Sequence, residues 1–270
     1  MNITRIPAFT DNYFWLLSNK NNHFATIVDP GDSKPVLNTL QNEHLILESI
    51  LGTHHHNEHI GGISDLKKVF PKCIVYGPDD KRIPTDICVN DNEELNLENI
   101  GAKFRVIEVP GHTSSHIAYY FDKKLFCGDT LFSCGCGRLF EGTPEQMHDS
   151  LEKIQNLPDD TLVYCAHEYT LDNIGFAKIV DPLNDLLIEK EKKVIELRDQ
   201  NIPTVPSILK EEKLINPFLR YKDKVIMESV ANHYKKEISN SIEVFHHTRM
   251  WKDTEYCLLY TSPSPRDRIA

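Results

Sequence analysis

A chain of 270 residues, 40% apolar and 26% charged, is long enough for one large domain or two modest ones, and its composition excludes wholesale disorder. Lys and Arg number 30 against 40 Asp and Glu, a net charge of -10, which excludes a generally basic nucleic-acid binder. No apolar run approaches the roughly 18 residues of a membrane span, no charged-then-apolar leader opens the chain, and seven cysteines lack framework spacing, so a reduced, cytoplasmic setting is expected.

In chain order, residues 13–18 and 24–28 read as strands, the second ending at the turn Asp29-Pro30-Gly31. A short helix over 35–41 precedes an apolar run at 45–51, and a helix is predicted over 60–70. Strands follow at 73–76, 104–109, 117–121, 124–127 and 162–165, with a helix from Pro144 to about Asn156 capped by Thr143. Interleaved strands and helices of this kind predict an α/β layered domain over residues 1–171. Beyond it, 182–200 and 224–239 are charged and helix-periodic, so a smaller α-helical domain is expected over 172–256. Residues 257–270 follow no fold logic; Cys-Leu-Leu-Tyr-Thr-Ser and the Pro-Ser-Pro-Arg-Asp after it resemble a translated sequencing adapter, and this stretch is set aside as non-native.

Histidine is the compositional outlier, with 13 in the chain and four within 53–59. Four groups of candidate ligands each lie just past a predicted strand: Thr53-His54-His55-His56-Asn57-Glu58-His59, Gly111-His112, Gly128-Asp129 and Ala166-His167. Strand ends along one sheet edge are neighbours in space, where α/β folds place their sites. Residues two apart in an extended segment point the same way, so His54 and His56 can grip one cation, while His59, opening the next helix, can serve a second with Glu58. His55, on the opposite side, is expected to pack or to support its neighbours.

The segment 53–59 closely resembles the T-H-x-H-x-D-H motif of the metallo-β-lactamase fold superfamily. Further segments narrow the resemblance to glyoxalase II, the hydroxyacylglutathione hydrolases. They are Asp11-Asn12-Tyr13, Pro110-Gly111-His112-Thr113, Gly128-Asp129-Thr130-Leu131-Phe132, the run from Gly135 to Thr143, His167-Glu168-Tyr169-Thr170, Pro203 to Ser207, and Asn216-Pro217-Phe218-Leu219-Arg220. The resemblance implies a four-layer αββα sandwich followed by a helical domain. It implies two divalent metal ions, zinc by preference and iron or manganese as alternatives. One ion would take His54, His56 and His112, the other Glu58, His59 and His167, with Asp129 bridging. Asp129 and Glu58 thereby become the candidate catalytic carboxylates. Glu58 departs from the family, which has Asp at this position.

The family's substrate is a thioester of glutathione, typically S-D-lactoylglutathione, cleaved to glutathione and D-lactate in methylglyoxal detoxification. By the same resemblance, Arg138, Phe140 (where many members have Tyr), Tyr169, Arg220 and either Lys222 or Lys224 would contact it, in a monomer acting without nucleic acid or membrane. Cys134 and Cys136 fall in the substrate loop by the same match, and Cys127 and Cys165 read as core. Competing readings are a lactonase or β-lactamase of the same fold, a one-iron persulfide dioxygenase, and an inactive metal- or glutathione-binding module.

Overall fold

The computed structural model describes residues 1–19 and 21–256; the adapter-like stretch 257–270 lies outside them. Two six-stranded sheets form the frame. The first contains, in spatial order, β1 (Asn2–Ala8), β2 (Asn12–Ser18), β3 (Phe24–Val28), β4 (Ile46–Leu51), β5 (Ile74–Gly77) and β6 (Ile87–Cys88). The second contains β7 (Glu94–Leu97), β8 (Ala102–Glu108), β9 (Ile117–Phe121), β10 (Lys124–Gly128), β13 (Leu162–Cys165) and β14 (Ser207–Ile208), while β11 (Leu131–Phe132) and β12 (Gly135–Cys136) make a separate hairpin.

Strand β2 shows why the layers form. All seven of its residues are buried, and they alternate between two apolar environments. Phe14 and Leu16 meet Val36 and Leu40 of α1 (Ser33–Asn42) and Ile63 and Leu66 of α3 (Ile63–Val69) on the outer face. Tyr13, Trp15 and Leu17 face the second sheet, joining Phe104, Val106, Tyr119 and Phe126 in the main core. On the far side, Met147, Leu151 and Ile154 of α4 (Pro144–Gln155) close the sandwich. Thr143 caps that helix as expected, in a reciprocal capping box with Gln146.

The predicted helix over 60–70 is in fact split into the single turn α2 (Asn57–Ile60) and α3, with Gly61 and Gly62 between. A Cβ at Gly62 would stand 2.6 Å from the Pro30 carbonyl oxygen, and one at Gly61 2.7 Å from that of Gly31. The two glycines let this loop dock on the turn after β3, which brings α2 beside Asp29.

Residues 168–256 form α5 (Thr170–Val180), α6 (Asp185–Asp199), α7 (Leu209–Ile215), α8 (Lys224–Tyr234), α9 (Ser241–Trp251) and a π-helical turn over Lys252–Tyr256. The helix read over 224–239 ends at Tyr234, where Lys235 turns left-handed at φ 50°. One strand departs from the all-helical reading of this part: β14 pairs antiparallel with β13 and completes the second sheet. Phe176, Phe218, Tyr221 and Phe245 continue the main core into the helices. No helix of the described residues is long and apolar enough to cross a membrane.

Candidate metal centre

The strand ends converge at one edge of the sandwich, and cross-sheet hydrogen bonds pin them there. Ile117 N donates to Thr53 O (3.0 Å), Tyr119 Oη to Gly52 O (3.0 Å), Trp15 Nε1 to Cys165 O (3.0 Å) and Tyr13 N to Ala166 O (2.7 Å). Between them lie two groups of three donor side chains, His54, His56 and His112 in one and Glu58, His59 and His167 in the other, with each group's donor atoms within 4.8 Å of one another. Asp129 stands between the groups. Its Oδ1 lies 3.4 Å from both His59 Nε2 and His167 Nε2, and its Oδ2 lies 3.5 Å from His112 Nε2. Glu58, half-buried on the single turn α2, thus presents its carboxylate to the second group even with its extra methylene.

Each buried ring is locked by an oxygen at its far nitrogen. His54 Nδ1 lies 3.0 Å from Thr53 Oγ1, His59 Nδ1 3.0 Å from Asp29 Oδ2, His112 Nδ1 2.9 Å from Arg138 O and His167 Nδ1 2.8 Å from Asp11 Oδ1. Protons at those nitrogens turn Nε2 inward, where each ring offers a lone pair once Nε2 carries no proton. In the first group, His54 Nε2 and His112 Nε2 lie 3.2 and 3.1 Å from His56 Nδ1, so three ring nitrogens crowd one point. At most one proton could be shared there; a cation would satisfy all three. In the second group, His59 Nε2 and Asp129 Oδ1 are buried without any hydrogen-bond partner. Nitrogen and carboxylate donors in this state fit divalent transition metals.

The two groups differ electrostatically. Burial pushes His54 well below the ordinary histidine range, His112 down, and His56 to about 4, each helped by neighbouring imidazoles. For His59 burial acts in the same direction, but Asp129 and Asp29 outweigh it and raise the group to about 10. His167 is likewise raised, against burial, by Asp129 and Asp11. Burial would lift Asp129, yet His167 and His59 hold it well below the usual carboxylate range. Burial and neighbouring imidazoles thus favour the neutral form in the first group, whereas in the second His59 holds a proton that a cation must displace.

Around this centre stand three of the expected substrate residues. Phe140, 60% exposed, sets its ring 5.5 Å from that of His56 and 5.3 Å from that of His112. Tyr169 stacks on His167 at 4.6 Å. Arg138 gives its carbonyl to His112, and its Nε lies 3.2 Å from Asp253. Arg220, Lys222 and Lys224 are not brought to this cluster by any contact described. Arg220 pairs with Asp181 and Asp223, Lys222 with Glu152 and Lys224 with Glu228.

Sequence reasoning missed Arg249, which is buried, donates to the Cys136 carbonyl, and shares Asp253 with Arg138. It also missed Asp29 and gave Asp11 no role. Asp29 follows a predicted strand just as the other ligand groups do, a signal hidden by reading Asp29-Pro30-Gly31 only as a turn. Nothing in the pattern around Arg249 marks it. His55 faces away from both groups, 3.7 Å from Asp80 and 3.6 Å from Glu141.

Comparison with known proteins covers nearly the whole chain. Residues 14–167 match the model of the metallo-β-lactamase superfamily, and residues 168–255 that of the hydroxyacylglutathione hydrolase C-terminus. The chain is 53% identical over 254 residues to a hydroxyacylglutathione hydrolase of Vibrio campbellii, covering 94% of this chain and 99% of that one. It is 50% identical, with the same coverage, to one of Aliivibrio fischeri. Among solved structures, the BLEG-1 B3 metallo-β-lactamase aligns with a TM-score of 0.61 at 24% identity, over 81% of this chain and 99% of that chain.

Titrating metal-free protein with cobalt(II) at pH 7 in buffers of different protonation enthalpy should show a first binding event that releases few protons and a second that releases the proton of His59. Equal proton release in both events would contradict the assigned charge states. In the metal-free protein the His59 ion pairs stabilise fully below the ordinary histidine value of 6.5, and that contribution is lost as pH rises through about 10. Its melting temperature should accordingly fall across that window. Glu58→Asp shortens the side chain by a bond of about 1.5 Å. It should weaken the second cation about 10- to 100-fold and leave the first unchanged. Unaltered stoichiometry and affinity in both Glu58→Asp and Glu58→Ala would remove residue 58 from the ligand set.

Proposed function

The chain belongs to the hydroxyacylglutathione hydrolases of the metallo-β-lactamase superfamily, and we propose that it hydrolyses the thioester of S-(2-hydroxyacyl)glutathione, S-D-lactoylglutathione above all, to glutathione and a 2-hydroxy acid. One observation carries this reading. Two groups of three candidate ligands, with Asp129 between them, sit in a chain whose residues 168–255 match the hydroxyacylglutathione hydrolase C-terminus. The proposed setting is the cytoplasm, as a monomer, in methylglyoxal detoxification.

His54, His56 and His112 would hold one divalent cation and Glu58, His59 and His167 the other, with one oxygen of Asp129 turned towards each group. The donor set suits zinc first, and also iron or manganese. Cations bound there supply Lewis acidity, lowering the pKa of water from 15.7 towards about 7 and favouring negative charge at a carbonyl oxygen. The chain's own residues do the rest. Thr53, Asp29, Asp11 and the Arg138 carbonyl keep the Nδ1 protons in place, so the inward nitrogens stay donors. Phe140 and Tyr169 flank the cluster with aromatic surface against which an acyl group and its sulfur can lie. Water adds to the thioester carbonyl and gives up a proton to solvent, the carbon–sulfur bond breaks with its electron pair passing to sulfur, and glutathione leaves as a thiolate. A thiol pKa of about 8.5 makes that departure easy near neutrality without a dedicated general acid. Arg138, with Arg249 behind it across Asp253, is the basic group placed to meet a glutathione carboxylate.

Metal-replete protein should hydrolyse S-D-lactoylglutathione with about two cations per chain; folded, loaded protein with no turnover refutes the assignment. Arg138→Ala should raise KM roughly ten- to a hundredfold with kcat little changed, the effect of losing about 1.5–3 kcal/mol of charge-assisted contact to a part of the substrate that does not react. Arg220→Ala, which strips a partner from the buried Asp181, should lower the melting temperature and leave KM near its starting value. The reverse pattern would return the carboxylate contact to Arg220.

A further inference from the structure

One fully buried imidazole outside the ligand set touches two of its members at once. His116 follows the His112 loop and immediately precedes β9, with no exposed surface. Its Nδ1 lies 3.1 Å from the Ile117 carbonyl oxygen, and its Nε2 accepts the backbone N–H of Asp129 at 3.2 Å. A carbonyl only accepts and an amide N–H only donates, so one tautomer, protonated on Nδ1, satisfies both contacts. The same ring lies almost flat against His54, with centroids 4.5 Å apart and planes 17° from parallel.

The surrounding chain is shaped to this ring. Gly128, immediately before Asp129, has φ 48°, a conformation that side chains rarely adopt. A Cβ there would collide with Thr53 Oγ1 and stand 2.9 Å from His116 Cε1. The backbone of Asp129 therefore leaves a left-handed turn open only to glycine and meets an imidazole nitrogen. Without that acceptor, its N–H would be a buried donor with no water to turn to, an arrangement folded chains avoid.

We propose that His116 is a positioning residue that aims the Asp129 carboxylate between the two cation sites, through the Asp129 N–H, while backing the ring of His54. This rests on the reading of His54, His112 and Asp129 as ligands. Asp129 faces His59 and His167 with one oxygen and His112 with the other, so a modest rotation of its backbone would move both oxygens off their marks. His116 has no exposed surface and acts through the groups it backs, Asp129 and His54 first, with the His112 ring 6.0 Å away and the Thr130 hydroxyl 3.4 Å from its Nδ1.

Three variants separate its contacts. In His116→Gln the side-chain amide oxygen reaches the position of Nε2 and keeps an acceptor for the Asp129 N–H. In His116→Asn the amide stops one carbon short. His116→Phe keeps the stacked ring and offers no acceptor. Each full-length protein is titrated with cobalt(II) against a chromophoric chelator, the d–d spectrum is recorded, and the metal-free melting temperature is measured alongside. His116→Gln should bind cobalt with nearly the affinity and spectrum of the unsubstituted protein. His116→Asn and His116→Phe should bind about 10- to 100-fold more weakly while still melting cooperatively. Should His116→Phe fail to fold, the Gln and Asn pair decides alone. The proposal is overturned if the Asn variant binds cobalt as tightly as the unsubstituted protein, or if the Gln variant binds as weakly as the Asn variant. Absence of cobalt binding by the unsubstituted protein would overturn the ligand reading itself.

Discussion

Asp29 accepts three hydrogen bonds at the end of β3, from the Thr53 amide, the Thr53 hydroxyl and His59 Nδ1, and the order of the centre descends from them. Because the Thr53 hydroxyl spends its proton on Asp29, its oxygen is free to accept from His54 Nδ1. One carboxylate thus fixes the tautomer of a ring in each donor group, directly for His59 and through one hydroxyl for His54. Asp29 itself sits at φ 51°, an uncommon backbone state for a residue with a side chain. Such a conformation persists where surrounding contacts over-determine it, and strain of this kind concentrates at functional sites.

The layered fold and the donor set were legible for the same reason: both are written in local patterns. Strands such as β3 and β9 are short apolar runs bounded by turn residues, and each donor cluster follows directly on one of them. The tight loop between α2 and α3 was not legible, because a continuous helical period runs through Gly61 and Gly62 and only the docking against Pro30 breaks it. Strand β14 escaped for a related reason, being two residues long and defined wholly by its partner. The basic residues were the least legible. Arg220 carries a familiar motif yet turns to Asp181 and Asp223, whereas Arg249, in an unremarkable helix, reaches the Cys136 carbonyl from 113 residues away. Charge in a sequence states what a residue can pair with; the fold decides which partner is within reach.

The two donor groups share a carboxylate but not an electrostatic character. Near His54 and His56 the nearest influences are other imidazoles and burial, both of which disfavour a proton. Around His59 and His167 the nearest influences are Asp29, Asp11 and Asp129, which favour one. The asymmetry follows from strand order. β3 and the β1–β2 turn deliver Asp29 and Asp11 to the second group's side of the edge, whereas the first group's His112 is held by a neutral backbone carbonyl. Identical ring types in one small cluster are thereby set for different tasks before any ligand arrives.

The pairing of β14 with β13 has a consequence for how the chain is made. All donor residues, from His54 to His167, precede residue 168, yet the strand that covers the open flank of β13 begins at Ser207. Phe126 and Tyr164 share the main core with Phe218 and Phe245, later still in the chain. During synthesis the histidine-bearing half is complete in sequence some forty residues before its second sheet has its last edge. Over that interval it presents an unpaired strand and uncovered apolar side chains, the features that invite association between nascent chains. The helical half is in this sense a companion delivered on the same polypeptide, and a hydrolytic half released without it would be prone to aggregate.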